Sequence, residues 1–261
     1  IFTQNVEMSM KELSTLDDLM DLATGYLSTA WDKAVQANNQ TYGKSSLEAL
    51  KVEIDEITKT MVDLANTEYN DNYIFGGANT KILPYEQAEN GDIIYNGTPY
   101  DNKDYIRQTE VADGVFEVIN TTGDKVFGYY KSAVEPGNGV YTDANGKRVI
   151  ESTDAQTGQK VYKYENGVEY TGDVADLTDG AEEEAVGVMG ALRKLSNSLG
   201  TVVEGLEAGD DAMVQEGYAE MNSTLDMFSD SLNTITTEQT KFGGVYLSLI
   251  HISEPTRRTP I

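Results

Sequence analysis

The sequence predicts an α+β protein: an elongated antiparallel α-helical bundle of long, heptad-patterned helices with a small antiparallel β domain inserted between the two helix pairs. Three observations predict it. Apolar residues recur at alternating spacings of three and four before residue 65, and again after residue 185. Between 81 and 180 that pattern gives way to glycine, tyrosine and β-formers. Two Asn-Gly pairs within this stretch are flanked by β-formers, a strong short-range hairpin signal. The expected divisions are an N-terminal rod of two antiparallel helices over 1–80, a β domain over 81–180, a C-terminal helical rod over 181–247, and a tail over 248–261.

The first helix carries Leu13, Leu16, Met20, Ala23, Leu27, Ala30, Ala34 and Ala37 without a break in the spacing. At about 35 residues it would be roughly 50 Å long, a rod rather than a compact turn of structure. Trp31 flanks the stripe and reads as a packing residue. Asn38 to Lys44, with Gly43, supplies the turn. The second helix carries Leu47, Leu50, Ile54, Ile57, Met61 and Leu64, and Ser45 with Glu48 three residues on has the spacing of a capping box. The third carries Ala185, Val188, Leu192, Leu195, Leu199, Val202 and Leu206, and the acidic run Glu182-Glu183-Glu184 suits its N-terminus. Ala208-Gly209-Asp210-Asp211 breaks the pattern and can cap the fourth. That helix carries Val214, Tyr218, Met221, Leu225, Phe228, Leu232, Ile235, Phe242 and Tyr246, with polar Gln239 inside the seam. Two readings of these seams stay open. An ordinary bundle closes them within one chain, or some remain available to neighbouring subunits.

Residues 81–180 hold 12 of the 24 glycines, and 12 of the 16 tyrosines fall between Tyr69 and Tyr170, which marks the change of architecture. Asn145-Gly146 lies between Val140-Tyr141-Thr142 and Arg148-Val149-Ile150. Asn166-Gly167 lies between Val161 to Tyr164 and Val168 to Tyr170. Ile93-Ile94-Tyr95, Tyr105-Ile106-Arg107 and Val115 to Ile119 supply further strands. The tyrosines either pack this small sheet or serve recognition from it, and packing is their commoner role.

The inventory of reactive side chains is short. The 261 residues include no cysteine and one histidine, His251, which removes disulfides, thiolate chemistry and most general-base or zinc sites. A net charge of −25, spread along the chain, repels phosphate backbones and argues against nucleic-acid binding. No apolar run approaches the ~18 residues of a membrane span. Asp17, Asp18 and Asp21 lie off the Leu13–Leu16–Met20 seam and read as solvated. Asp143-Ala144-Asn145-Gly146 resembles part of a calcium loop but lacks the spaced third ligand and the closing glutamate, so it reads as a hairpin turn. Gly137-Asn138-Gly139 has Thr142 where a third phosphate-loop glycine would stand. No catalytic constellation, metal site or cofactor site emerges.

Leu64-Ala65-Asn66-Thr67, Asn70, Tyr73-Ile74-Phe75-Gly76-Gly77, Thr80, Pro84 and Tyr85 resemble a motif of the flagellin superfamily and, within it, of the hook–filament junction proteins. Ala34 to Thr41 is similar to the end of that family's first long helix. Ile94 to Gly97, Gly114 to Phe116 and Gly123 to Phe127 are similar to the start of its β domain. Gly243-Gly244-Val245-Tyr246 stands near the glycine step of its last helix. The Tyr-Ile-Phe-Gly-Gly passage favours the junction proteins over filament flagellin. Its two glycines are expected to end the second helix and turn the chain into the β domain.

The resemblance implies a structural subunit of the bacterial flagellum that joins hook to filament, with no enzymatic activity and no cofactor. It implies partners among other flagellar subunits, self-assembly, export through the flagellar secretion channel to an extracellular position, and an export chaperone whose terminal-helix site is expected to be missing here. Filament flagellin is the near alternative. A secreted binding or adhesion module, with the tyrosine-rich β domain on a helical stalk, is the alternative of another class. The resemblance also implies a helix before residue 1 and a continuing last helix. Residues from about 248, with Pro255 and Pro260, instead resemble translated sequencing adapter, so a missing N-terminal portion, a non-native tail and a monomeric or weakly associating fragment are expected.

Overall fold

The structure, a computed structural model, describes residues 2–40, 42–154, 157–165 and 167–253. Helix α1 (Phe2–Asn38) is followed by α2 (Lys44–Ala65), antiparallel to it. Gly43, in extended conformation, takes the N-cap of α2, and its carbonyl accepts from the amides of Ser46 and Leu47. Ser45 therefore lies inside the first turn and makes no capping box. Lys44 pairs instead with Glu48, one turn on, and with Glu207 of the neighbouring helix.

The chain then forms a hairpin of β1 (Glu68–Tyr69) and β2 (Asn72–Tyr73). Its two turn residues, Asn70 and Asp71, both have positive φ, as the favoured two-residue hairpin turn requires. Next come β3 (Tyr85–Gln87), β4 (Ile93–Tyr95), the hairpin β5 (Gln108–Ala112) and β6 (Val115–Val118), the single turn α3 (Gly123–Val126), and β7 (Tyr129–Lys131). The second half of the insertion holds β8 (Val140–Thr142), β9 (Arg148–Thr153), β10 (Lys160–Tyr164), β11 (Thr178–Asp179) and β12 (Glu184–Val186). Helices α4 (Gly187–Ala208) and α5 (Asp211–Ser253) complete the chain. Two antiparallel four-stranded sheets result: an inner one in the order β12-β7-β4-β3 and an outer one in the order β10-β9-β8-β11.

Tyr105 was expected in a strand but ends a 3₁₀ turn, Lys103–Tyr105, because Asn102 caps that turn by accepting from the Asp104 amide. The stretch 168–170 meets the outer sheet at one bridge, Lys163 to Glu169, rather than as a strand. Gly167 has the expected positive φ, and Asn166 lies outside the described residues. The acidic run does not begin α4. Glu184 belongs to β12, and the helix starts at Gly187, after a strand that is paired with β7. Those carboxylates pair instead with Arg148 and Lys194.

The four long helices run up-down-up-down, with α4 packed between α2 and α5, and α5 between α4 and α1. At 1.5 Å per residue, α2 and α4 are about 33 Å long, while α1 and α5 are about 55 and 65 Å. The excess of α1 and α5 overhangs one end, and the β5–β6 hairpin lies along it. Asn5 donates to the Glu110 carbonyl, and Ser248 donates to the Glu117 carboxylate. Between α4 and α5, Gly209 adopts the left-handed cap, and Asp210 accepts from the amides of Ala212 and Met213, as expected of that break. Helix α5 continues past residue 247 to Ser253, with Leu249 fully buried, while Pro255 and Pro260 lie outside the described residues.

Candidate assembly surface and its joint with the β domain

Apart from Ala185, Leu206, Val214, Leu225, Leu232 and Tyr246, the apolar seam residues named above are buried inside the chain's own bundle. They hold the rod together and, so placed, do not face a neighbour. On α5 the buried stripe runs Met221, Thr224, Phe228, Ser231, Ile235, Glu238 and Phe242. Leu225 and Leu232 sit one residue further round, half-buried against the core. Gln239 was expected inside the seam. It lies instead on the flank, where it donates to Asp21 at 2.7 Å, and the buried position belongs to Glu238, only 4% exposed. Glu238 is met by Lys241 at 3.3 Å, so the charge is paired rather than isolated.

One exposed surface available for contact is the opposite face of α1. Asp18, Asp21, Leu22, Gly25, Tyr26 and Thr29 line a shallow groove of about 560 Å³. Leu22 is 54% exposed, and Met8, equally exposed, lies on the overhang of α1. Heptad reasoning passed over these residues because it follows the buried stripe; their signal is an apolar residue off that stripe. A smaller hollow of about 180 Å³ lies between α1 and the β1–β2 hairpin, lined by Met8, Glu12, Tyr69, Tyr73 and Arg107 among others. Arg107 donates there to Glu12.

The family-motif residues build the joint between rod and β domain. Helix α2 ends at Ala65, with Asn66 as its C-cap, ten residues before the glycines that were expected to end it. The Asn66 amide N–H donates to the Tyr85 carbonyl at 2.9 Å, and its Oδ1 accepts from the Tyr85 amide at 2.8 Å. One side chain thus ties the helix end to β3. Thr67 accepts from the Ile74 amide, and Tyr73 donates its amide to Thr80. Ile74 and Phe75 are buried, and the Phe75 ring meets Phe127 edge-on at 4.8 Å. Gly76 bridges to Thr122, and Gly77 takes the left-handed φ that the turn needs.

Two tyrosines seal this joint. Tyr85 donates to the Gly128 carbonyl and Tyr95 to the Phe75 carbonyl, both at 2.8 Å. Burial holds both phenols well above their ordinary pKa, so they stay protonated donors. Asp124 nearby is also pushed up by burial, against the amide of Tyr100 that donates to it. Gly128 is left-handed, and a Cβ on it would stand 1.9 Å from the Val186 carbonyl oxygen. This close backbone crossing, at the start of α4, requires glycine.

The outer-sheet tyrosines spend their hydroxyls internally. Tyr141 and Tyr162 both donate to Glu151, and Tyr164 donates to Asp143. Tyr141 packs edge-on against Tyr162, and Tyr164 against Tyr170. Asp143 accepts from the amides of Asn145 and Lys147 within the β8–β9 turn. Among the described residues no group of three or more His, Asp or Glu side chains is arranged to hold a metal, and no helix is long and apolar enough to cross a membrane.

Long helices packed on their own seams, with a β-rich insertion leaving from and returning to one end, define a rod-and-lobe fold. No protein-family model matches the chain. Over 127 residues it is 29% identical to flagellar hook-associated protein 3 of Salmonella typhimurium, a match spanning 48% of this chain and 38% of that protein. The chain has the fold of solved flagellar hook-associated protein 3 structures. One from Legionella pneumophila aligns with a TM-score of 0.67 at 16% identity, over 98% of this chain and 91% of that one. The Xanthomonas campestris FlgL structure aligns at 0.61 and 17% identity, over 96% and 92%. The resemblance carried by Leu64 to Tyr85 thus points to the same proteins as the curated relative and the whole-chain fold.

Proposed function

We propose that the chain is a structural subunit of the bacterial flagellum that packs at the joint between hook and filament. The observation that carries this reading is the Asn66–Tyr85 joint. The residues that resemble the junction-protein motif are those that fasten the β insertion to the rod, so the likeness falls on the architecture itself. In this reading the closed seams make each subunit a stiff rod. The α1 groove around Leu22 and Tyr26 meets a neighbour, and the β sheets face outward. Its partners are other flagellar subunits, reached after export through the flagellar channel, and its work is mechanical rather than enzymatic. The 81–180 insertion is the outward module in this reading.

Immunogold labelling of intact flagella, with antibody raised against this chain, tests the proposal. A single band at the hook end is expected. Label along the whole filament would assign the chain to filament flagellin, and absence of label from flagella would overturn both.

A further inference from the structure

The geometry points to a conformational device between the two sheets: the outer sheet is a hinged lobe whose orientation is locked by one buried guanidinium, that of Arg148. Three observations meet here. First, among the described residues the continuous hydrophobic core draws nothing from 135–183; the outer sheet's fully buried Val149 stands apart from it. Second, no outer strand pairs with an inner strand, and the chain crosses between the sheets on two connectors joined at Val134 and Ala181. Third, Arg148, on β9 of the outer sheet and with a side chain 4% exposed, reaches into the inner sheet's connectors.

Its Nε donates to Glu184 of β12 at 2.9 Å. Its Nη2 donates to the carbonyls of Ser132 at 2.8 Å, Glu182 at 2.6 Å and Lys131 at 3.4 Å. A planar fork is suited to gripping both connectors and a carboxylate at once, which a lysine cannot reproduce. The second polar tie, Lys131 to Glu165, is more exposed and weaker. Interfaces without a large apolar contact leave domains free to move by default, so a buried polar lock sets the orientation here. Gly180, at φ +89°, and Pro136 with Gly137 mark where the connectors would bend.

The chain has no cysteine, so two can be introduced for spin labels at exposed positions: Ser152→Cys on the lobe and Lys59→Cys on α2. Pulsed electron resonance should give one narrow distance distribution with Arg148 present. In Arg148→Gln it should broaden at least about twofold, with Arg148→Lys in between. Glu184→Gln, which keeps the three carbonyl bonds, should broaden it less than Arg148→Gln. Amide exchange in β9 and β10 reports separately whether the lobe is folded. An unchanged distribution in Arg148→Gln overturns the lock. So does loss of β9–β10 protection in both Arg148→Gln and Arg148→Lys, which would make Arg148 a folding residue of the lobe.

Discussion

Asn66 does the work of a cap and a clamp with one side chain. Its backbone closes α2, and its amide exchanges both hydrogen bonds with the backbone of Tyr85, nineteen residues on. Removing it strands a partly buried donor and acceptor on β3 with no replacement. Asn66→Ala is therefore expected to cost about 1–3 kcal/mol, read as a lowered urea midpoint. The loss should appear in the tyrosine near-UV signal of the joint, because Tyr85 and Tyr95 pack there at 5.2 Å. This residue was visible in the sequence as part of a motif, yet its role was not. A motif marks position, and only the fold shows that its partner is Tyr85. The two glycines were misjudged for a related reason: a left-handed φ suits a helix end or a tight turn equally, and Gly77 serves the turn.

At the scale of the element, the heptads marked the existence and approximate extent of all four long helices, but they misplaced the face of α5. The stripe through Leu225, Leu232 and Tyr246 and the stripe through Thr224, Ser231 and Glu238 differ by one residue, and both keep the period. Apolarity favours the first. The second is buried because its hydroxyls need no outside partner: Thr224 donates to the Met221 carbonyl, and Ser231 to the Met227 carbonyl. A small hydroxyl satisfied on its own helix packs closely, where leucine would overfill the space. The two registers make different predictions. Phe228→Ala, at a position common to both, should cost about 3–5 kcal/mol by urea denaturation. Leu225→Ala, on the half-exposed flank, should cost about 1 kcal/mol. Equal losses at the two sites would contradict the structure. The strands flanking the Asn145-Gly146 turn were legible from their β-formers. Strands were misread at 105–107 and 168–170, where β-forming side chains lie in a 3₁₀ turn and a single bridge.

For the molecule as a whole, acid should separate the parts. Glu151 is held below its ordinary pKa of 4.5, first by the Lys160 hydrogen bond and then by Tyr162. Asp143 is held below 3.8, chiefly by the Lys147 amide. A carboxylate lowered in the folded state stabilises above the usual carboxylate range, and that contribution is lost as pH falls through the folded value. Asp124, beside the rod, is raised by burial and acts in the opposite sense, its contribution greatest at low pH. The outer sheet should therefore loosen first as pH drops from about 5 toward 3. Two-dimensional NMR should show β8–β10 resonances collapsing while those of α4 and α5 persist; simultaneous loss would contradict this.

The pairing of Val134 with Ala181 places the points where the outer lobe begins and ends side by side, with N–H···O distances of 2.7 and 2.8 Å. A segment bounded by adjacent antiparallel strands can be cut out and its ends rejoined by a short turn, leaving the scaffold's register untouched. The same geometry lets it be lengthened or replaced by an unrelated fold. The lobe is in this sense a cassette: it can be exchanged at one pair of adjacent strands while the rod keeps its own buried seams.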